Sequence, residues 1–270
     1  MEKLLDEIES YWSTRTEGYS EVNHKELAGT QKNAWLKVLT SQFPDKPKEE
    51  IRILDIGTGP GFFPVILAEA GYHVDAVDYT EGMLEKAKEN AGELCRNIHF
   101  QRMDAQKLEF EDNTFDVVIS RNLTWNLEHP DVAYREWVRV LKVGGKLLNF
   151  DANWYGYLYE EEQRKAYEND RKNVENNSLD DHYLCTDIER MERIALQVPL
   201  SKIRRPEWDV KTLREAGLLG IHTDTEIWKT VWSEEERLNY QSTPMFMVTG
   251  VKPDHFLNLP VVEGEKTEGF

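Results

Sequence analysis

Three glycines at alternate positions, Gly57, Gly59 and Gly61, interrupt the stretch ILDIGTGPGFFPVILAEAGYHVDAVDYT, which runs from Ile53 to Thr80. An acid, Asp55, stands just before them, and a second, Asp78, closes the next apolar run. Glycines of this kind permit a tight turn and a close approach of backbone to ligand. The helix that follows offers free N–H groups at its start. A carboxylate at the end of a second strand can take both hydroxyls of a ribose. These residues alone suit any adenosine cofactor, a nicotinamide dinucleotide included, because glycine patterns are weakly specific by themselves.

Three further features narrow the choice. The spacing is G-x-G-x-G rather than G-x-G-x-x-G. RMDAQKL places Asp104 after a third strand, where an acid can accept from an adenine amino group. FDVVISRNLTWNLEHPDVAYREWVRVLKVGGKLLNFD (Phe115 to Asp151) then supplies a strand, a helix and a strand. From about Tyr11 to Asp151 the chain resembles the class I S-adenosylmethionine-dependent methyltransferases, in particular the small-molecule branch related to quinone-biosynthesis enzymes. The remainder resembles them poorly.

The resemblance implies S-adenosylmethionine as cofactor and S-adenosylhomocysteine as its product. By position, Asp55, Gly57, Gly59 and Gly61 would border the methionine end. Asp78 would hold the ribose, with Tyr79 and Met83 near the adenine. Asp104 and the backbone of Ala105 would read the adenine edge, and Asn122 would lie beneath the sulfonium. YWSTRTEGYS resembles a lid segment, from which Tyr11, Arg15 and Tyr19 would reach the methionine carboxylate.

Methyl transfer from a sulfonium needs nucleophile, carbon and sulfur in line, with water excluded. A general base is needed only for a protonated acceptor such as a phenol or an ammonium. LTWNLEHP and FDANWYGYLY bring aromatics and amides to the ends of the fourth and fifth strands. Trp125, Asn126, Asn153, Trp154 and Tyr155 are therefore expected to wall a small-molecule acceptor. Asp151 is expected to act as its base or to bind a cationic acceptor.

The elements that must hold these residues follow from periodicity. Leu4, Leu5, Ile8, Tyr11 and Trp12 share one helix face, and Leu27, Ala34, Trp35, Val38 and Leu39 share another, in a second helix. Strands are expected at Ile51 to Ile56, Val74 to Val77, Ile98 to Arg102, Phe115 to Ser120 and Lys146 to Phe150. Helices are expected from Phe62 to Ala70, from Thr80 as N-cap, and from Pro130, the last turned by Val143 to Gly145. Alternation of this sort predicts right-handed crossovers and a mostly parallel sheet. Asn153 to about Arg205 breaks the rhythm. A helix from Glu207 to Ala216 and strands at Ile221 to Trp228 and Met245 to Val251 complete the pattern. The expected fold is α/β and Rossmann-like, a seven-stranded sheet with helices on both faces. Residues 1–50 form an N-terminal helical lid, 51–152 and 206–253 the core, 153–205 an inserted helical cap, and 254–270 a tail.

The chain of 270 residues carries a net charge of −17. Such a field repels phosphate backbones and anionic lipid, so neither a nucleic-acid nor a membrane partner is expected. KIRR (Lys202 to Arg205) is the one compact basic cluster. Two distant cysteines, Cys95 and Cys185, make no disulfide framework and suit a reducing cytoplasm. The charged start MEKLLDEIES does not read as a signal peptide. DDHYLC (Asp180 to Cys185) lacks the paired spacing of a zinc site, and no metal is expected. His24, His129 and His182 read as structural or solvent-facing. Remaining alternatives are a nucleic-acid or protein methyltransferase, a non-catalytic S-adenosylmethionine-binding protein, and a nicotinamide-dependent dehydrogenase; a monomer and a homodimer are equally compatible with the sequence.

Overall fold

The computed structural model describes residues 4–182 and 186–254. Cys185 and the end of DDHYLC lie outside the described residues, as do the first three residues and all of the expected tail but Asp254.

The chain opens with two helices, α1 (Leu4–Ala28) and α2 (Gln31–Thr40). Strands and helices then alternate: β1 (Arg52–Ile56), α3 (Phe62–Glu69), β2 (His73–Asp78), α4 (Glu81–Ala91), β3 (Ile98–Arg102), β4 (Phe115–Arg121), α5 (Pro130–Val140) and β5 (Leu141–Asp151). Two helices, α6 (Glu161–Asn176) and α7 (Ile188–Ala195), fill the stretch where the rhythm fails. The chain ends with α8 (Glu207–Glu215), β6 (Leu219–Asp224), α9 (Trp228–Val231), α10 (Glu234–Asn239) and β7 (Phe246–Val251).

One seven-stranded sheet has the order β3-β2-β1-β4-β5-β7-β6. The first five strands run parallel, and β7 lies antiparallel between β5 and β6. The strand order reverses at β1 and β4, where an open sheet leaves a crevice beyond its carboxyl ends. The fold is α/β and Rossmann-like.

The central strands are buried on both faces because their apolar residues alternate between two helical layers. Leu54, Ile56 and Val118 pack with Tyr134, Trp137 and Leu213 of α5 and α8. Ile53, Val117 and Ile119 pack on the other side with Trp35, Phe63, Ile66 and Val231 of α2, α3 and α9.

Several local expectations are corrected. Leu27 belongs to α1, since the helix break comes at Gly29 and Thr30. Thr80 occupies the N-cap of α4 but its side chain makes no capping bond; its N–H instead donates to Asp78 Oδ1 at 2.9 Å. Strand β5 starts at Leu141, beside Phe115, and a register shift between Phe115 and Val117 absorbs the Val143 to Gly145 turn. Strand β6 stops at Asp224, and Trp228 starts a helical turn.

Candidate functional site

The turn after β1 is drawn toward β2, because the N–H groups of Gly57 and Thr58 both donate to Val77 O, at 2.8 and 3.0 Å. Gly57, Gly59 and Gly61 have φ of +71°, +52° and +90°, which glycine adopts without strain. Their surroundings differ. A Cβ on Gly57 would stand 2.7 Å from Leu123 Cδ2, and one on Gly59 would face the Tyr19 ring at 3.5 Å. One on Gly61 would meet Ala87 Cβ at 3.0 Å. Gly61 thus lets α3 settle against α4.

Asp78 pins this loop. Its Oδ2 accepts from Gly59 N at 2.8 Å and its Oδ1 from Thr80 N at 2.9 Å. The Thr80 side chain and the Tyr79 N–H also act on this carboxylate in favour of its charged form. Burial pushes the Asp78 carboxyl up from its ordinary value, and the backbone donors oppose that rise. Asp55, also buried, is pushed up to about 7, by desolvation first and by the charge of Asp78 last.

A cleft opens over this loop. Gly57, Gly59, Asp78, Tyr79, Met83, Asp104, Ala105, Tyr19 and Asn122 all line it. Asp104 Oδ1 accepts from the backbone and side-chain nitrogens of Gln106 at 2.8 and 3.2 Å. Ala105 is held from behind, its carbonyl accepting from Trp137 Nε1 at 2.9 Å. Asn122 has the left-handed φ of +56°, and its N–H donates to Phe150 O at 2.8 Å. The side-chain oxygens of Asn122 and Asn126 are both buried in the lining without a protein partner. A buried, unpaired amide oxygen implies a ligand or water donor.

The lid face of α1 is not the expected one. Leu5, Ile8, Glu9, Trp12 and Tyr19 face the cleft; Tyr11 and Arg15 do not line it. Tyr11 is buried among Trp125, Tyr155, Tyr157 and Met191, and the Arg15 guanidinium lies along its own helix beside Gly18. Helical spacing from Ile8 through Trp12 carries the signal that would have found the right face. Glu9 reaches across the cleft rim to Arg102 Nη2 at 2.7 Å, while that guanidinium lies 5.0 Å from the centre of the Tyr79 ring. Arg121, Leu127, Glu128 and Met103 also line the cleft, and local pattern gave no sign of them.

Gly61 and Asp55 lie outside the lining, as do most of the expected acceptor residues; of those, only Asn126 reaches the cleft. Trp125 and Tyr155 pack on each other with ring centres 5.0 Å apart. Trp154 lies edge-on to Tyr240, and Asn153 bonds the backbone of Arg205 in both directions, at 3.0 and 3.1 Å. Asp151 is fully buried. Its carboxylate accepts from Trp125 N (3.0 Å), Ala152 N (2.9 Å), Trp154 Nε1 (3.1 Å) and Arg205 Nη1 (2.6 Å). Four donors use all the lone pairs of a carboxylate, so Asp151 has none left for a substrate proton. The expectation that Asp151 serves as a base, or meets an acceptor, is overturned by this packing. The KIRR cluster is also reduced, since Arg205 is buried and only Lys202 and Arg204 are exposed. Among the described residues, no group of three or more His, Cys, Asp or Glu side chains is placed to hold a metal. Among them, too, no helix is long and apolar enough to cross a membrane.

Residues 54–149 match the methyltransferase domain family. The chain is 39% identical over 97 residues to a demethylmenaquinone methyltransferase of Clavibacter sepedonicus, a match covering 36% of this chain and 39% of that one. It spans about half the length of the curated relatives it matches. Among solved structures, a Methanococcus maripaludis protein assigned as an S-adenosyl-L-methionine-dependent methyltransferase superposes with a TM-score of 0.59 at 19% identity, covering 91% of this chain and 95% of that one. Phosphoethanolamine N-methyltransferase 2 of Haemonchus contortus, in complex with S-adenosyl-L-methionine, gives 0.58 at 20% identity and covers 82% of this chain and 52% of that one. At these identities the two structures share the fold.

Proposed function

Since residues 54–149 match the methyltransferase domain family within a Rossmann-like sheet, we propose that the chain transfers the methyl group of S-adenosylmethionine to a small-molecule acceptor. The observation that carries this reading is the convergence of the Gly57–Gly59 turn, Asp78, Asp104 and the unpaired oxygen of Asn122 on one cleft.

The residues present fit the cofactor. Asp78 lines the cleft at the end of β2, where a carboxylate can take ribose hydroxyls, and Asp104 with the Ala105 backbone suits the adenine edge. Tyr79 and Met83 flank that end of the cleft. Gly59 keeps the space beside Tyr19 clear. The Asn122 amide oxygen suits the ammonium and sulfonium end, where a cation needs a dipole. When bound, S-adenosylmethionine supplies an electrophilic methyl on a good leaving group. The chain then has to orient the acceptor and exclude water, and α1 provides the roof for both.

Lining charge bears on the acceptor. The cleft has four acids, Glu9, Asp78, Asp104 and Glu128, and one cation, Arg121, which is already committed to Glu26. This favours a neutral or cationic acceptor over a phosphate or carboxylate. It also weighs against a nucleic-acid substrate, as does the net charge of −17. The Clavibacter sepedonicus relative is, by its name, a methyltransferase acting on demethylmenaquinone.

Thermal shift with S-adenosylmethionine, S-adenosylhomocysteine and NAD tests the cofactor. The first two should raise Tm and NAD should leave it unchanged. A shift with NAD alone would replace this reading with a dehydrogenase. Methyl-labelled cofactor with fractionated cell extract then tests catalysis. Cofactor binding with no labelled small molecule in any fraction would leave a binding protein and not an enzyme.

A further inference from the structure

Asp151 is one member of a closed circuit. Trp125 N and Arg205 Nη1 both donate to its Oδ2, at 3.0 and 2.6 Å. Arg205 gives two further donors to Asp209, Nε to Oδ2 at 2.9 Å and Nη2 to Oδ1 at 2.6 Å. The Tyr134 hydroxyl donates to Asp209 Oδ1 and accepts from Asn149 Nδ2 at 2.8 Å. Asn149 Oδ1 then accepts from Thr124 Oγ1 at 3.2 Å. The path leaves the chain at Trp125 and returns at Thr124, the adjacent residue. Every member is buried.

Thr124 and Trp125 belong to the short 3-10 turn Thr124–Asn126 after β4. Their own side chains are turned away, but Asn122, Leu123, Asn126, Leu127 and Glu128 on either side line the cleft. Elsewhere this loop is held by its own short-range bonds and by Asn122 N on Phe150 O. The circuit draws on β5, α5 and the Arg205–Asp209 segment that opens α8, so three other parts of the chain grip two consecutive residues. Burying three charges costs stability unless they are paired. Here the two carboxylates hold the Arg205 guanidinium charged against a burial that opposes it, so its pKa is raised.

We infer that Arg205, Asp209 and Tyr134 are positioning residues that act through Asp151 and Asn149 to fix loop 122–128 at the cleft. None of them touches the cleft itself. Lysine in place of Arg205 would not serve, because one ammonium cannot bridge two carboxylates in a planar fork.

The placement of the cofactor against this loop rests on the function proposed above, and the test separates the two. Tyr134→Phe and Thr124→Val each open the circuit by removing one hydroxyl, with Thr124→Ser as the conservative rescue. Leu39→Ala, buried on the opposite face of the sheet, serves as a control that is destabilised without touching the circuit. Hydrogen exchange and calorimetric S-adenosylhomocysteine binding are measured on the full chain. The expected result is amide exchange about fivefold faster at 122–128 and affinity about fivefold weaker in both variants. Strands β1 to β3 should keep their protection, Thr124→Ser should behave as wild type, and Leu39→Ala should leave both readouts unmoved. Wild-type exchange at 122–128 in both variants, or the same changes in Leu39→Ala, would overturn the inference. Absence of wild-type binding would remove the cofactor reading alone, since the exchange measurement still decides the circuit.

Discussion

The Arg121 guanidinium meets the Glu26 carboxylate with two parallel bonds, 2.7 and 3.0 Å long, and so ties the end of α1 to the end of β4. Both side chains are largely out of water, and the Arg121 charge also lies 4.7 Å from the centre of the Phe62 ring. Burial works against the Arg121 charge, but Glu26 more than offsets it and the pKa is raised. Glu26→Gln leaves a buried cation without its partner, and stability should fall by about 3 kcal/mol in chemical denaturation. The paired replacement Glu26→Leu with Arg121→Met should lose less than Glu26→Gln alone. Equal or greater loss in the double variant would show that the pair itself stabilises the fold.

Gly59 and Gly61 should separate binding from folding. Gly59→Ala pays the left-handed penalty of about 1–2 kcal/mol but makes only an ordinary contact with Tyr19, and its methyl enters the cleft. Its affinity for S-adenosylhomocysteine should fall at least about tenfold, as expected when bulk enters a site built for close backbone approach. Gly61→Ala drives a methyl against Ala87, and should cost about 2–3 kcal/mol of stability with affinity nearly kept. Calorimetry and urea titration on the same two proteins would show whether the order is reversed.

Asp78→Asn replaces one of two acceptors with a donor, opposite either Gly59 N or Thr80 N. The loop then loses a charge-assisted bond, and any ribose loses a carboxylate. Affinity for S-adenosylhomocysteine should drop between about tenfold and a hundredfold. Retained affinity would move the ribose to another acid of the cleft, with Asp104 the first to substitute.

Asp55 gives a pH signature. With a folded value of about 7, raised from the ordinary 3.8, it binds a proton in the fold that the unfolded chain has already released. Its contribution to stability is complete below the unfolded value and is lost as pH rises through 7. Between pH 5 and 8 that loss is on the order of 3 kcal/mol. Asp55→Asn should flatten this part of the stability profile relative to wild type. Parallel profiles from urea melts at several pH values would show that Asp55 is already ionised in the fold.

Much of the cleft lining was readable because it is local. Gly57, Gly59 and Asp78 announce themselves through strand ends and turn chemistry, and Asp104 follows its strand by two residues. Trp125, Trp154 and Tyr155 were expected at the cleft and lie outside its lining, because they carry no mark that separates a wall from packing. Whether Asp151 is a base or a buried anchor depends on Arg205, which reaches it across 54 residues of sequence. In the sequence Arg205 belongs to a basic run and looks like a surface residue. The placing of α1 residues differed too, since Ile8, Tyr11 and Trp12 share one apolar face and pattern alone does not say which of them reach the cleft and which, like Tyr11, pack against Trp125 and Met191.

Strand β7 completes the shelter around the ionic circuit, for Phe246 pairs with Asp151 and its ring centre lies 5.1 Å from the Arg205 guanidinium carbon. The chain through Phe246 must therefore leave the ribosome before these charges can dehydrate. A nascent chain halted short of that strand would present the open flank of β5, a ready template for intermolecular pairing. Stalled or truncated products of this protein are expected to precipitate and not to persist as partly active fragments.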